Sequence, residues 1–516
     1  MNSETLSYWN KTAAKDKYPR LEESISADVL IIGGGISGIT TAYCLAQKGV
    51  KPVVIEAGGL CDGTTGNTTG KVTIQHGIIY HNLYTKYGGD YAQRFADSMT
   101  GSIRFVQDVV KRERIDCQLA ESTAYIYACA KNELDILKQE YDTAQKLKID
   151  ASLITDSDFP KGNMGLLGYR SQQVFHAVRY VTALASAAKA KGAEIYCNTK
   201  AMEIEDGEPI IVRCDNDITI KAKHVVQATQ YPIYDGPNLF FARLYATRDY
   251  GIAAITKGNW PDGSYINMGE PTRSIRTHVE NGKSILILVG ENHATGREEE
   301  KMGEHFDNLI QFANDIAGVS EVLAKWSAQD YETPDQVPYI GRLSDHSNIY
   351  VAAGFCKWGL TRGTLAGMMI ADLVINGNCE YEEIYSRKRP DLTSSLGKLV
   401  TDVFTPVGEL IKSKVEGTQS YRDLKQGEGR AIRFQGEKAG AYRDEKDIVT
   451  VIDISCTHMT TELNFNTAEK TWDCPAHGGR FATDGRLLEG PPKHSMNVLF
   501  RGTYAEFLKS MEETEA

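Results

Sequence analysis

Apolar and polar positions change character along the chain, with the break near residues 425–431. From Asp28 the sequence reads DVLII, then GGGISG, then ITTAYCLAQK, then PVVIE. A short continuous apolar run bounded by glycines predicts a buried strand, and the longer periodic run after it predicts a helix. The pattern places a strand at 28–32, a helix at 36–48 and a strand at 52–56. Residues 91–119 and 132–148 are long, charged and periodic, and with 178–191 they predict three more helices. Residues 194–227 alternate in short extended pieces that end in HVVQAT. NIYVAAG at 348–354 predicts a late buried strand, followed by a glycine-rich turn and a helix through Val374. This is a mixed α/β region whose first and last parts are expected to meet at one site. Further on, Leu396, Leu399, Val403, Leu410 and Ile411 recur at helical spacing, with Pro406 as a kink. They predict a linker helix packed on its own protein. Gly427 and Gly429 then open a tail of short strands and turns.

Length adds a domain count. A chain of 516 residues should hold two to four domains. Lys plus Arg is 57 and Asp plus Glu is 68, a net charge of −11. This balance argues against nucleic acid as the main partner, because phosphate binding needs surplus cations. No apolar run of about 18 residues occurs, so no transmembrane segment is expected. The first 23 residues lack the apolar core of a signal peptide, and most of the ten cysteines are scattered, so a cytoplasmic location is expected.

Gly33-Gly34-Gly35-Ile36-Ser37-Gly38 satisfies G-x-G-x-x-G between the predicted strand and helix. Gly33 permits the tight turn, Gly35 lets a pyrophosphate approach the backbone, and Gly38 lets helix and strand pack closely. The helix N-terminus at Ile36 and Ser37 offers free N–H groups to phosphates. Glu56 ends the second strand, where a carboxylate accepts ribose hydroxyls. A dinucleotide is expected here. No second unit of this kind is present, so built-in reduction by NADH is not supported.

Further stretches extend the picture: Gly63 to Lys71 (GTTGNTTGK), Val225 to Thr229, Thr333-Pro334-Asp335, and Gly354 to Leu360 (GFCKWGL). With the glycine turn they resemble the D-amino-acid-oxidase-like superfamily of FAD oxidoreductases, over about residues 25–376. The resemblance implies FAD as cofactor, in an α/β Rossmann-type FAD-binding domain with an inserted α+β substrate domain. It carries ADP binding to Gly33, Gly35, Gly38 and Glu56, and the loop past the flavin to Thr69, Gly70 and Lys71. It assigns the adenine contact to Ala201, the strand end closing over the flavin to Ala228 and Thr229, and the late flavin loop to Gly359, Leu360 and Thr361. Some sarcosine oxidases tether FAD through a cysteine just before the T-P-D segment; Ser327 to Asp330 offers none.

The tail carries Cys456-Thr457-His458 and Cys474-Pro475-Ala476-His477. Two thiolates and two imidazoles suit tetrahedral zinc or a [2Fe–2S] cluster with cysteines on one iron and histidines on the other. The C-P-x-H-G-x-R-F stretch, Asp484-Gly485 and Gly490-Pro491-Pro492 resemble a Rieske domain over roughly 431–505, which implies the cluster and a small all-β fold. Where respiratory Rieske proteins have a disulfide between the two loops, this chain has Thr461 and Ala476. Where they have serine and tyrosine donors to the cluster, it has Gly479 and Phe481. The expected order is an N-terminal extension (1–26), the FAD-dependent oxidoreductase part (27–390), a helical linker (391–430) and the Rieske domain (431–516).

The superfamily resemblance implies oxidation of a C–N bond of an amine or amino acid. A Rieske centre takes one electron at a time, which suggests relay between FAD, the cluster and an external acceptor or donor such as a ferredoxin- or flavodoxin-like protein. Other readings are a biosynthetic flavin enzyme for a larger amine-containing intermediate, or a redox-sensing regulatory protein. Candidate substrate residues are Lys357, Trp358 and Arg362 on the late loop, with Arg243, Arg248 and Tyr250 in a segment of the substrate domain. An arginine can clamp a carboxylate bidentately. His76, and Tyr80 beyond it, follow the flavin loop, and a histidine suits proton transfer.

Overall fold

A computed structural model describes residues 6–157, 159–235, 240, 243–258, 260–297, 302–389 and 417–515. The expected linker helix at 395–415 lies outside the described residues. The chain divides into two compact units. One comprises Met1–Asn238, Asp249–Asn292 and Asn308–Leu392; the other comprises Leu239–Arg248, His293–Asp307 and Thr393–Ala516.

The first unit contains an eight-stranded sheet. Its parallel core runs in the order Ile349–Ala353, Thr219–Gln230, Ile25–Ile32, Val53–Ile55 and Glu194–Tyr196. Leu30, Ile31, Val54, Ile55, Val225 and Val226 are wholly buried. Strands covered on both faces read as continuous apolar runs, which is why they were legible. Ile32 pairs with both Gln227 and Ile55, so Gly33, Glu56 and Ala228 come to the same carboxyl end of the sheet. In open α/β sheets ligands bind at that end. The helix Ile36–Gln47 packs on Gly359–Asn376, so the first and last parts of the unit meet as expected.

A nine-stranded sheet follows, in the order Val319–Glu332, Tyr245–Thr256, Lys283–Ala294, Arg273–Glu280, Ser264–Asn267, Ala120–Ala128, Gly165–Val174 and Lys71–Val72, with Ala151–Ile154 also on Gly165–Val174. The helix expected over 91–119 is Gly89–Glu113. It stops where Arg114 turns left-handed at φ +55° and returns its N–H to the Val110 carbonyl. The next residues, AESTAYIYA, form a strand, in keeping with their β-branched and aromatic content.

The second unit holds two four-stranded antiparallel sheets. One is Gly429–Phe434, Glu437–Arg443, Ile448–Asp453 and Val498–Thr503; the other is Asn464–Asn466, Thr471–Asp473, Arg480–Ala482 and Leu487–Glu489. A helix, Tyr504–Glu515, follows the strands and was not foreseen. It buries Phe507 and Met511 against Tyr421 and Val449 in one apolar cluster.

Candidate functional site

At the glycine turn the backbone admits no side chains. Gly33 has φ +119°, and a Cβ there would fall 2.4 Å from the Ala228 carbonyl oxygen. A Cβ on Gly38 would fall 2.0 Å from the Gly33 carbonyl oxygen. The turn is thereby pressed between its own helix and the end of the Thr219–Gln230 strand. Glu56 accepts the Gly34 N–H at 2.7 Å and the Gly58 N–H at 2.8 Å. Burial raises its carboxyl pKa, and these N–H groups oppose the rise. Two donors fix the carboxylate while lone pairs remain for ribose hydroxyls. The Ser37 hydroxyl is buried and makes no hydrogen bond among the described residues, and the Ile36 N–H reaches the Thr65 hydroxyl at 3.1 Å. An orphaned hydroxyl at a helix N-terminus fits a phosphate. Ala201 opens the Ala201–Glu205 strand, two residues after Thr199, whose N–H binds the Glu56 carbonyl. The residues fit the adenosine diphosphate half of FAD.

The flavin-loop residues Thr69, Gly70 and Lys71 are held from several sides. The Gly70 carbonyl accepts Arg276 Nη1 at 2.7 Å and the Phe175 N–H at 3.0 Å. Trp9 donates its indole N–H to the Thr68 carbonyl at 2.6 Å. Lys71 is half-buried, with Nζ on the Ser274 hydroxyl and 5.7 Å from the Trp358 ring centroid. Burial, and next the charge of Arg276, bring its pKa down to about 7. The His76 and Trp358 rings lie 4.8 Å apart, and Arg362 Nη2 is 3.5 Å from His76 Nδ1. Burial and then Arg362 hold the His76 imidazole well below its ordinary pKa, so it is neutral. Thr361 ties its helix to Thr73 by two hydrogen bonds. Lys71, His76, Trp358 and Arg362 therefore come together.

Other candidates are placed differently. Lys357, at φ +70°, gives its ammonium to Asp249 at 3.3 Å, and its N–H binds Asp330. Tyr80 donates its hydroxyl to the Ile74 carbonyl, and Tyr250 is fully buried. Arg243 and Arg248 belong to the second unit. Arg248 is 2% exposed, with ion pairs to Glu469 and, at 3.0 Å, to Glu489. Its guanidinium is thus engaged by carboxylates of the protein, which takes Arg248 off the group of candidate substrate residues. Ser274, Arg276 and Trp9 were missed. The only local signal was that Ser274 and Arg276 stand two apart on one strand face.

In the second unit, Cys456 and Cys474 are buried with their thiols hydrogen-bonded to each other. Backbone N–H groups of His458 and Met459 point at the first sulfur, and those of Ala476 and His477 at the second. The His458 and His477 rings lie 4.9 Å apart at 83°. Among the described residues no three His, Cys, Asp or Glu side chains surround a single ion position. Thiols paired with thiols and imidazoles with imidazoles fit one pair per iron of a [2Fe–2S] cluster better than one tetrahedral zinc. At Gly479 a Cβ would fall 2.5 Å from Pro492 Cγ and 3.7 Å from Cys456 Sγ. Replacing Gly479 by serine to add a donor, as the sequence suggests, therefore collides with the proline ring.

Comparison with known proteins finds a matching family for each of the two parts of the chain. A family model described as FAD dependent oxidoreductase matches residues 28–373, and one described as Rieske [2Fe-2S] domain matches 418–505. The chain is 36% identical over 486 residues to the Bacillus subtilis (strain 168) protein YhfW, whose name describes a Rieske 2Fe-2S iron-sulfur protein; the match covers 94% of this chain and 95% of that one. It is 24% identical to gamma-glutamylputrescine oxidoreductase of Escherichia coli (strain K12), covering 79% of this chain and 97% of the relative. In fold it is similar to the crystal structure of glycine oxidase from Geobacillus kaustophilus, with a TM-score of 0.59 at 20% identity over 70% of this chain and 99% of that one. No described helix is long and apolar enough to cross a membrane. The expected fold classes and cofactors hold: this chain belongs to the FAD dependent oxidoreductase family and carries a Rieske [2Fe-2S] domain after its flavoprotein part.

Proposed function

We propose that this protein oxidises a C–N bond of a small amine or amino acid and delivers the electrons to an external acceptor of ferredoxin- or flavodoxin-like kind. The observation that carries this reading is Lys71, half-buried beside Trp358 with its pKa brought down to about 7. FAD supplies a two-electron acceptor, and the [2Fe–2S] cluster a one-electron relay. Above pH 7 the neutral Lys71 amine can take the proton that a substrate ammonium must lose before its nitrogen lone pair is free. The Ser274 hydroxyl orients that amine. His76 is the weaker base, because imidazolium is disfavoured by burial and by Arg362. Its role is to stack on Trp358 and exclude water. Arg362 and Arg276 make the surroundings cationic, which favours a substrate carrying a carboxylate. Similarity to a relative named for an amine, gamma-glutamylputrescine, supports the C–N assignment. The reading gives Gly33, Gly35, Ile36, Ser37, Gly38, Glu56 and Ala201 to the adenosine diphosphate half, and Ala228, Thr229, Thr69, Gly70, Gly359, Leu360 and Thr361 to the flavin half.

The test is anaerobic mixing of the full-length protein with a panel of amines and amino acids, following the visible flavin band and the EPR signal of the reduced cluster. Bleaching is expected with a carboxylated amine, slowed in Lys71→Met by about 10²–10⁴-fold. A band that dithionite bleaches but no amine or amino acid does would overturn the reading.

A further inference from the structure

Gly296 lies far from both ligand motifs in sequence, yet it sits within the second unit on the peptide that joins Cys474 to Pro475. A Cβ built on it would stand 2.5 Å from the Cys474 carbonyl carbon, 2.5 Å from the Pro475 nitrogen and 2.8 Å from the Cys474 carbonyl oxygen. Its φ is +74°, so both space and conformation exclude a side chain. The Gly296 carbonyl accepts the Asn464 side-chain amide at 2.8 Å. Asn464 opens the strand Asn464–Asn466, which pairs with Thr471–Asp473, the strand that leads into Cys474. The first strand of this hairpin therefore clamps the segment that rests on the peptide just beyond the second, at the same open end.

Asp473, immediately before Cys474, is held as firmly. It is 1% exposed and accepts Arg480 Nε at 3.2 Å, Asn466 Nδ2 at 3.1 Å and the Thr471 hydroxyl at 2.8 Å. Arg480 and Arg248 share Glu469 and Glu489. All ten cysteines are free thiols, so no covalent clasp joins the ligand loops. Without a disulfide, packing and hydrogen bonds hold the Cys474 loop in place before any cluster binds.

We propose that Gly296 and Asn464 form a positioning lock for the cluster: they hold the Cys474–His477 loop and so set the electronic environment of the two irons, to each of which that loop gives one ligand. Residues behind the ligands govern metal affinity and potential in this way.

The experiment uses the full chain in three versions: Gly296→Ala, Asn464→Ala, and Gly436→Ala as the control. Gly436 is also in the second unit and left-handed, at φ +86°, but a Cβ there meets nothing within 4 Å. It reports backbone strain without contact to the loop. Iron release to a chelator, the EPR line shape of the reduced cluster, its midpoint potential and FAD content are measured for each. Gly296→Ala is expected to weaken iron retention by about 10–100-fold and to alter the EPR line shape, with FAD content unchanged. The control should match the wild type. If Gly296→Ala does not accumulate as folded protein, Asn464→Ala decides, and a shifted EPR spectrum or potential with native FAD content supports the lock. A folded Gly296→Ala with wild-type iron retention, spectrum and potential overturns the proposal. So does an unaltered Asn464→Ala, or a Gly436→Ala that disturbs the cluster equally.

Discussion

The Thr361 hydroxyl holds Thr73 by both of its backbone groups, accepting its N–H at 2.9 Å and donating to its carbonyl at 2.9 Å. Both residues are 1% exposed, so no water replaces these bonds. Each buried group left unpaired costs about 1–3 kcal/mol. Thr361→Val, which keeps the shape and loses the hydroxyl, should therefore destabilise the first unit by about 2–6 kcal/mol and lower the FAD retained on purification. Thr361→Ser should restore both. Denaturant melts and the ratio of flavin to protein absorbance check this.

Lys71 gives a pH dependence with a definite sign. Its pKa is about 7 in the fold, against about 10.4 in an unfolded chain. Between these values the unfolded chain carries a proton that the folded chain lacks, so stability rises with pH. The rise begins near pH 7, ends near pH 10.4 and is at most about 1.4 kcal/mol per unit. Below pH 7 the full cost of burying the charge persists. Melts of flavin-free wild type and Lys71→Met across this range should diverge with this slope. Parallel curves would show that Lys71 titrates normally.

Arg248 predicts a loss of stability in the second unit. It and Arg480 together face Glu469, Glu489 and Asp473, all within a buried or half-buried cluster. Removing one partner of a buried network strands the opposite charges, at about 3–5 kcal/mol. Arg248→Ala should lower the unfolding free energy of that unit by that amount, read from an earlier denaturant midpoint for loss of the cluster's visible absorbance. Arg248→Lys should recover only part, because one ammonium cannot reproduce the forked contacts to two carboxylates.

What the sequence discloses and what it hides follow from the range of the interactions involved. The glycine turn, Glu56 and the four candidate metal ligands were legible because their chemistry depends on neighbours a few residues away. Even the meeting of the first and last parts of the α/β region, through the helices Ile36–Gln47 and Gly359–Asn376, was visible from the buried strands before them. The partners of Arg248 stand more than 200 positions along the chain, so the sequence could name it only as one candidate in its segment. Lys71 was named as a loop residue, but its lowered pKa comes from burial and from Arg276 on a distant strand. The stop at Arg114 depends on one left-handed residue that hydrophobic periodicity does not register.

The cluster's potential should fall in the lower part of the Rieske range of roughly −150 to +300 mV, because Gly479 and Phe481 offer no side-chain donor to its sulfurs. Redox titration followed by EPR measures it. The contact of Gly479 with Pro492 shapes the rescue: Gly479→Ser alone should cost about 1–3 kcal/mol through overpacking. Only Gly479→Ser together with Pro492→Ala should raise the potential while keeping the fold. A wild-type value above about +200 mV would contradict the donor argument.

Trp9 is wholly buried, bonded to Thr68 and packed against His176, Arg276 and His278. Chains are made from the N-terminus at about 5–20 residues per second. The seat for Trp9 is therefore incomplete until residue 278 has left the ribosome, more than half of the 516 residues later. Through that interval an aromatic side chain waits uncovered, and the loop it braces waits with it. A nascent-chain series should show protection of Trp9 from solvent quenchers only once synthesis has passed that point, with flavin capture following it.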